Sequence, residues 1–404
     1  MRTWNAAKYL TRFGWDVTVV TPRPELWRHL DNREKAKADL QMEGIRQILT
    51  DHDWRFLNPI HLTCWDRGLG WLVGGICRKL ARFTAIDDGV GWIKAAERAC
   101  HQLQPNDVDL VLASGPPFAT FMLAERLAKK LSRRYVLDYR DPWLDAPLMS
   151  EALRGFLPEA RLLKGAAAVT IVSQAWASDL DSRFNIGSKL HVVTNGYDAE
   201  EFSSVQPYGF GHFAIVYGGI FYPPERVITP VLLALQRLKN RGTSLEWCFH
   251  YYGDHNTHVR EEAARLGVTD HVKLHGRVPR AEVLSAIRGA NVAVVINSVF
   301  EESPARIKGT VPAKLFEIIA LGTPVLMIAP QGCDAETIAC TSGLTGRFSG
   351  NDIAGIESFI EKLMAGWKFE RSNSDSFAWK HIGATFDAHL RSHLLGPQGC
   401  GKTS

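Results

Sequence analysis

Lys314 and Glu317 stand three residues apart in the stretch GTVPAKLFEIIALGTPVL, residues 309–326. A helix starting near Pro312 would set both on one face of its opening turn. Pro312 suits the first helical position, Thr310 or Val311 the cap, and Gly322 the end, while Pro324 opens an apolar run over 325–329 that reads as a strand. A helix N-terminus attracts anions, so a lysine there suits a diphosphate. A carboxylate one turn later would be repelled by that anion, and the simplest reason to place it there is to accept hydrogen bonds from a sugar's hydroxyl pair. An ordinary surface Lys/Glu pair would give the same spacing.

Other residues converge on the same chemistry. Tyr217, Gly218 and Gly219 end an expected strand at 213–217, and Arg226 precedes a helix at 227–241. Gly253 and Asp254 follow a strand at 245–252, and Gly276, Arg277 and Val278 follow one at 272–275. Open parallel sheets bind ligands at the carboxyl ends of their strands, where glycines let a phosphate approach backbone amides. Arg226 could hold phosphate oxygens bidentately. In the first half, Asp138, Arg140 and Asp141 close a strand at 135–138. They are candidates for holding an acceptor, or form a capped turn with an internal Arg/Asp pair.

No metal site is expected. Asp51, His52 and Asp53, and the trio His250, His255 and His258, lack a ligand spacing of the kind metals use. Residues 396–403, GPQGCGKT, satisfy the phosphate-loop expression, but no strand precedes them and the chain stops where a helix should begin. A disordered tail is the expectation for 396–404. No glycine fingerprint of a dinucleotide site follows a strand.

The elements that must position these residues alternate. Helix 3–13 and strand 16–21 come first, then an irregular insertion over about 24–86, then helix 92–103, strand 108–114, helix 118–131, strand 135–138, strand 167–173, helix 174–184 and strand 190–194. Residues 201–211 are polar and aperiodic, the natural linker. The second series adds helix 259–266, helix 280–288 and strand 292–296 to the strands above, and a last helix at 376–394 is placed to return to the first domain. Strands separated by helices imply parallel sheets with right-handed crossovers. The expected layout is an acceptor-side Rossmann-like domain over 1–200, the linker, a nucleotide-binding Rossmann-like domain over 212–375, and a helix over 376–395 crossing back. An α/β domain is expected to open on a strand, so a chain opening on a helix reads as lacking its first strand and the loop after it.

With 404 residues, 46% hydrophobic and 22% charged, the composition is that of a soluble protein of two domains. A net charge of +4, without basic runs interleaved with aromatics, argues against nucleic acid. Seven cysteines without paired spacing argue against a disulfide framework and for a reducing, cytoplasmic setting. No signal peptide is visible, and the longest apolar run, 68–77, is about half of what spans a bilayer. Residues 54–83 mix Trp54, Trp65 and Trp71 with Arg55, Arg67, Arg78 and Arg82. That is the chemistry of peripheral membrane contact, and burial of the insertion against its own domain would explain the aromatics equally well.

The chain resembles the family 4 glycosyltransferases over nearly its whole length. The resemblance is carried by RTWNAAKYL at 2–10 with GWDVTVVTP at 14–22, SGPP at 114–117, LDYRDPW at 137–143, NGYD at 195–198 with Phe202, and VPAKLFE at 311–317. It implies a GT-B fold, two Rossmann-like domains whose parallel sheets face each other across a cleft. It further implies transfer of a sugar from a nucleotide-diphosphate donor, with retention and without a bound metal or other cofactor, to a glycan or lipid-linked acceptor in polysaccharide or glycoconjugate synthesis. By position, Arg226 and Lys314 would hold the diphosphate, Glu317 the ribose hydroxyls, and the backbone of residues 276–278 the base. Where the family often carries a further glutamate ahead of Glu317, this chain has Gly309, and Glu301 and Glu302 lie off that register. A sugar-nucleotide epimerase of the same architecture, or an inactive nucleotide-binding relic, are the alternatives.

Overall fold

The computed structural model describes residues 2–23, 44–51, 53, 89–143, 158–242, 245–369 and 374–394. The chain divides into two compact units, one drawn from Met1–Val172, Trp176–Thr194 and Gly383–Ser404, the other from Ser173–Ala175 and Asn195–Ile382. The second unit therefore takes up the chain at Asn195, ahead of the stretch expected as a linker, whose first residues lie in the short helix Ala199–Ser203.

In the first unit, helix α1 (Arg2–Arg12) leads into β1 (Val17–Pro22), which pairs in parallel with β2 (Ile45–Thr50). Strand β2 corrects the reading of 24–86 as wholly irregular; the rest of that insertion, including the aromatic and basic segment 54–83, lies outside the described residues, as does the tail from 395 on. A four-stranded parallel sheet follows, β3 (Leu110–Gly115), β4 (Arg134–Tyr139), β5 (Ala168–Ile171) and β6 (Leu190–Val192), in chain order. Helix α2 (Val90–Ala99) packs on helix α3 (Ala119–Leu131), which carries Phe121, Leu127 and Leu131 into the core at helical spacing. Among the described residues no helix is long and apolar enough to cross a membrane.

The second unit is one six-stranded sheet, all parallel, built from β7 (Phe213–Gly218), β8 (Trp247–Tyr252), β9 (Val272–Gly276), β10 (Val292–Ile296), β11 (Val325–Ile328) and β12 (Thr345–Phe348). Its spatial order is β9-β8-β7-β10-β11-β12, so the chain builds outward from β7 in one direction and then returns to build from β10 in the other. The order reverses between β7 and β10, and in open α/β sheets that reversal is where ligands bind. Register makes the gap concrete. Strand β10 pairs with β7 only at Val292↔Ile215 and Ala293↔Val216, although β7 runs on to Gly218 and β10 to Ile296. Apolar side chains of β7, β8, β10 and β11 are buried on both faces, as a parallel sheet covered by helices requires.

The chain's last helix, Trp379–Leu394, is counted with the second unit up to Ile382 and with the first from Gly383 on, where Asp387 accepts a hydrogen bond from the Trp15 indole.

The ends of β3, β4 and β5 are tied together by one buried ion pair. Arg2 lays its guanidinium across Asp138, Nη2 to Oδ1 at 2.8 Å and Nε to Oδ2 at 2.9 Å, and Nη1 donates to the Thr194 carbonyl. Ser114 of β3 and Thr170 of β5 donate to the same carboxylate at 2.8 and 2.7 Å. Burial works to raise the Asp138 pKa, but the charge of Arg2 and the three sets of hydrogen bonds outweigh it and hold the carboxyl below its ordinary value. A carboxylate depressed in this way contributes stability that is present above its unfolded pKa and is lost as pH falls through the folded value. Arg2→Ala strands the buried charge and is expected to cost about 3–5 kcal/mol in urea denaturation at pH 7. A loss below about 1 kcal/mol would show that the pair does not organise these strand ends.

Candidate functional site

Lys314 enters from a helix, called α11 here as the eleventh among the described residues (Ala313–Leu321). Pro312 is its cap, one position earlier in the helix than expected, and Gly322 ends it in the left-handed region at φ 74°. Apolar Leu315, Phe316, Ile318 and Ile319 bury the inner face. Lys314 is thereby aimed at the end of β7, with its ammonium over the Tyr217 ring, 3.9 Å from the centroid.

Gly219 is the residue that makes this approach possible. Its φ is +137°, and a Cβ on it would lie 2.7 Å from the Lys314 ammonium. The neighbouring loops interlock around it through backbone groups. Gly219 N–H donates to the Tyr252 carbonyl, Gly253 N–H donates to the Gly276 carbonyl, and the Tyr251 hydroxyl donates to the Gly219 carbonyl at 3.0 Å. A Cβ on Gly253 would come within 2.3 Å of the Gly219 carbonyl oxygen. The structure thus brings together Gly218, Gly219, Gly253, Gly276 and Lys314 at the carboxyl ends of three adjacent strands.

Arg226 sits across the gap where β7 and β10 part. The turn Tyr222–Arg226 is closed by backbone hydrogen bonds in both directions, and Arg226 Nε donates to the Asn297 carbonyl at 3.0 Å, the first residue beyond β10. Its guanidinium lies over Tyr222. Among the described residues neither Arg226 nor Lys314 has a carboxylate ion-pair partner. The consequence appears in Lys314, whose pKa is pushed down to about 7, first by burial and then by the charge of Arg226, with Glu317 opposing. Two cations held close to each other without a carboxylate ion-pair partner are the kind of arrangement that attracts an anion.

Glu317 is placed differently from the expectation of a carboxylate open to a sugar. Arg280, the first residue of helix Arg280–Gly289, donates to its Oε1 from Nη2 at 2.7 Å and from Nε at 3.2 Å. Arg280 also pairs with Glu201 and lies over the Phe202 ring. The hydrogen bonds that Glu317 receives from described residues all end on Oε1, which leaves Oε2 as its open acceptor. Asp254 is exposed and stands 3.9 Å from Arg277, and Val278 packs against the core beneath helix Arg280–Gly289.

In the first unit the structure corrects the acceptor-side expectation for Asp138. Both of its oxygens are consumed by Arg2, Ser114 and Thr170, so it organises strand ends and is closed to a ligand. Arg140 donates its backbone N–H to Gly115, and its Nε is buried without a partner among the described residues. Asp141 is exposed. Glu301 is likewise committed, accepting from the Gln331 N–H and pairing with Arg347. Sequence reading missed Arg280, Tyr217 as the floor under Lys314, and Arg2; the signals were RVPR at 277–280 and an arginine opening the first helix, neither of which names its partner.

A parallel sheet in the order 3-2-1-4-5-6, with cations at its switch point, defines a Rossmann-like α/β unit, and the first unit is a second α/β domain with parallel strands. Residues 1–196 match the Glycosyl transferase 4-like domain and residues 212–378 match Glycosyl transferases group 1. The chain belongs to the glycosyltransferases of GT-B fold that pair these two domains, consistent with family 4. Comparison with curated proteins finds no significant match. Among solved structures, Alr3699/HepE from Anabaena, crystallised with UDP, is similar at a TM-score of 0.62 and 13% identity, over 96% of this chain and 94% of that one. A glycosyltransferase from Rickettsia africae is similar at 0.55 and 14%, over 97% and 89%. The sucrose-phosphate synthase of Thermosynechococcus elongatus is similar at 0.55 and 13%, over 96% and 87%.

Lys314 lowers the stability of the protein that carries it. With a folded pKa of about 7 against an ordinary value near 10.5, the unfolded chain binds more protons between those values, so stability rises with pH across that window. Lys314→Met is therefore expected to stabilise the protein by about 1–4 kcal/mol at pH 7 or below, with the advantage shrinking toward pH 10. Urea denaturation at pH 6.5 and pH 9.5 measures both. A destabilised Met variant at pH 6.5 would mean that the lysine has an acidic partner.

Proposed function

We propose that the protein is a retaining glycosyltransferase that moves a hexosyl group from a nucleotide-diphosphate sugar to a glycan or lipid-linked acceptor, in the synthesis of cell-surface polysaccharide or glycoconjugate. One observation carries the reading: Lys314 and Arg226 share a gap between strand ends without a carboxylate ion-pair partner among the described residues. Breaking a glycosyl bond to a nucleotide diphosphate develops negative charge on the leaving oxygens. Fixed cations stabilise that charge most effectively where water is scarce. The partly buried ammonium on Tyr217 and the guanidinium anchored on Asn297 fit this role, and they would act without a metal ion. Gly219 and Gly253, whose Cβ positions are taken by neighbouring atoms, let the loops pack closely enough for Lys314 to reach the end of β7.

Glu317 would hold the ribose. Arg280 fixes Oε1 and so orients Oε2 toward a hydroxyl pair, and the backbone of Gly276 and Val278 would line the base. Uridine diphosphate is the favoured nucleotide, because Anabaena HepE, of similar fold, was crystallised with UDP and with UDP-glucose. Arg140 and Asp141 stay as acceptor-side candidates, and the tryptophans and arginines of 54–83 favour contact with a membrane surface where a lipid-linked acceptor would be found.

The test is thermal stabilisation by UDP, GDP and ADP in the wild type and in Arg226→Ala and Lys314→Ala, followed by turnover of the matching nucleotide sugar. Stabilisation by UDP in the wild type alone is expected, with turnover lowered about a hundredfold in either variant. NMR of the product should show the donor's anomeric configuration. A wild type indifferent to all three nucleotides, or an inverted product, would contradict the proposal.

A further inference from the structure

A second cluster of chemically active side chains lies on the same sheet, drawn from β8, β9 and the approach to β7. Cys248 and His250 are two residues apart on β8 and so project from the same face of the sheet. Both are buried. His212 immediately precedes β7 and brings its Nε2 to 2.9 Å from Nε2 of His250. The Cys248 sulfur and the two imidazole nitrogens lie within 4.8 Å of one another. On its other side His250 Nδ1 is 2.9 Å from Nε2 of His275, which stacks on Tyr252. Phe210 covers the cluster, its ring 4.6 Å from that of His250. The four residues come from three strands or their approaches, so no local spacing marks them, and the donor site uses none of them.

We propose that Cys248, His250 and His212 bind a zinc ion, with His275 as the group that orients His250. The donor set suits a borderline-soft divalent cation, one thiolate and two imidazoles, with a fourth tetrahedral position for water at the half-exposed His212 side. A ligating imidazole commonly gives its second nitrogen to a hydrogen-bonding partner that fixes its tautomer, and His275 stands where that partner belongs. The rings of His212 and His250 are nearly parallel and meet edge to edge. Zinc bonds of the usual length need ring nitrogens about 3.3 Å apart. The adjustment falls on His212, which is the least buried of the three and ends the segment leading into β7.

A neutral imidazole carries one N–H and offers the lone pair of its other nitrogen; with the His250 Nδ1–H donating to Nε2 of His275, Nε2 of His250 is left for the metal. A thiol gives up its proton when it ligates zinc, so binding releases that proton to solvent. Such an ion would fasten the segment around Phe210 and His212 onto the sheet face and stabilise the fold.

The full-length protein, stripped with a chelator and reloaded, is the sample. After gel filtration the wild type is expected to retain one zinc ion per chain, to gain thermal stability from it, and to release a proton on binding in weakly buffered solution. Cobalt in place of zinc should give a thiolate charge-transfer band in the near ultraviolet. Cys248→Ser should lose the band, and His212→Ala, a change at a half-exposed position that leaves the core intact, should lose zinc retention. His275→Phe should weaken zinc affinity by about 10- to 100-fold. A wild type that retains no zinc would overturn the proposal. So would retention or a cobalt band unchanged in Cys248→Ser and His212→Ala, which would place the metal elsewhere.

Discussion

Lys314 and Arg226 are held near each other with no carboxylate ion-pair partner among the described residues, and the arrangement of the second unit follows from keeping them there. Burial first and the like charge of Arg226 second disfavour the protonated lysine, and both hold its pKa down. Three features maintain the arrangement. The aromatic face of Tyr217 supports the ammonium, the Asn297 carbonyl anchors the guanidinium, and Gly219 omits the Cβ that would push Lys314 away. Under the proposed function a diphosphate would relieve the repulsion, and the binding free energy of the anion would then include the unfavourable charge energy of the unliganded fold. The short pairing of β7 with β10 opens the space, and helix α11, capped by Pro312 and stopped by Gly322, sets the depth to which the lysine reaches.

The first unit solves the opposite problem. Its most conspicuous acid, Asp138, is fully compensated: one arginine, two hydroxyls and a lowered pKa. Neutralised charge fastens strands β3, β4 and β5 at their carboxyl ends, whereas the cations of the second unit have no carboxylate ion-pair partner among the described residues, which is what the proposed donor site requires. Glu317 lies between these extremes. Arg280 satisfies one oxygen and leaves the other available, which is how a carboxylate can stand near a diphosphate and still accept from a sugar.

Much of this was legible from the residues. Pro312, Gly322 and the apolar spacing between them marked the helix that carries Lys314, and alternating strands and helices marked the parallel sheet whose strand ends carry Gly219, Gly253 and Gly276. What escaped were pairings between residues far apart in the chain. Arg2 meets Asp138 across 136 positions, Arg280 meets Glu317 across 37, and His212 meets His250 across 38. No periodicity encodes such meetings, because they depend on which strands the sheet places side by side. Strand β2 escaped for a different reason: its six residues, IRQILT, sit between long stretches without helical or strand period.

The central claim, that Lys314 is a destabilised cation waiting for a diphosphate, is tested most directly by titrating that one side chain. NMR of protein labelled at lysine Cε, with Lys314→Met to assign the signal, should give a pKa near 7 in the free protein. Saturation with the nucleotide sugar that stabilises the protein should raise it by about 1–3 units. An ordinary lysine value near 10.4 in the free protein, or a low value that nucleotide sugar leaves unchanged, would contradict the account.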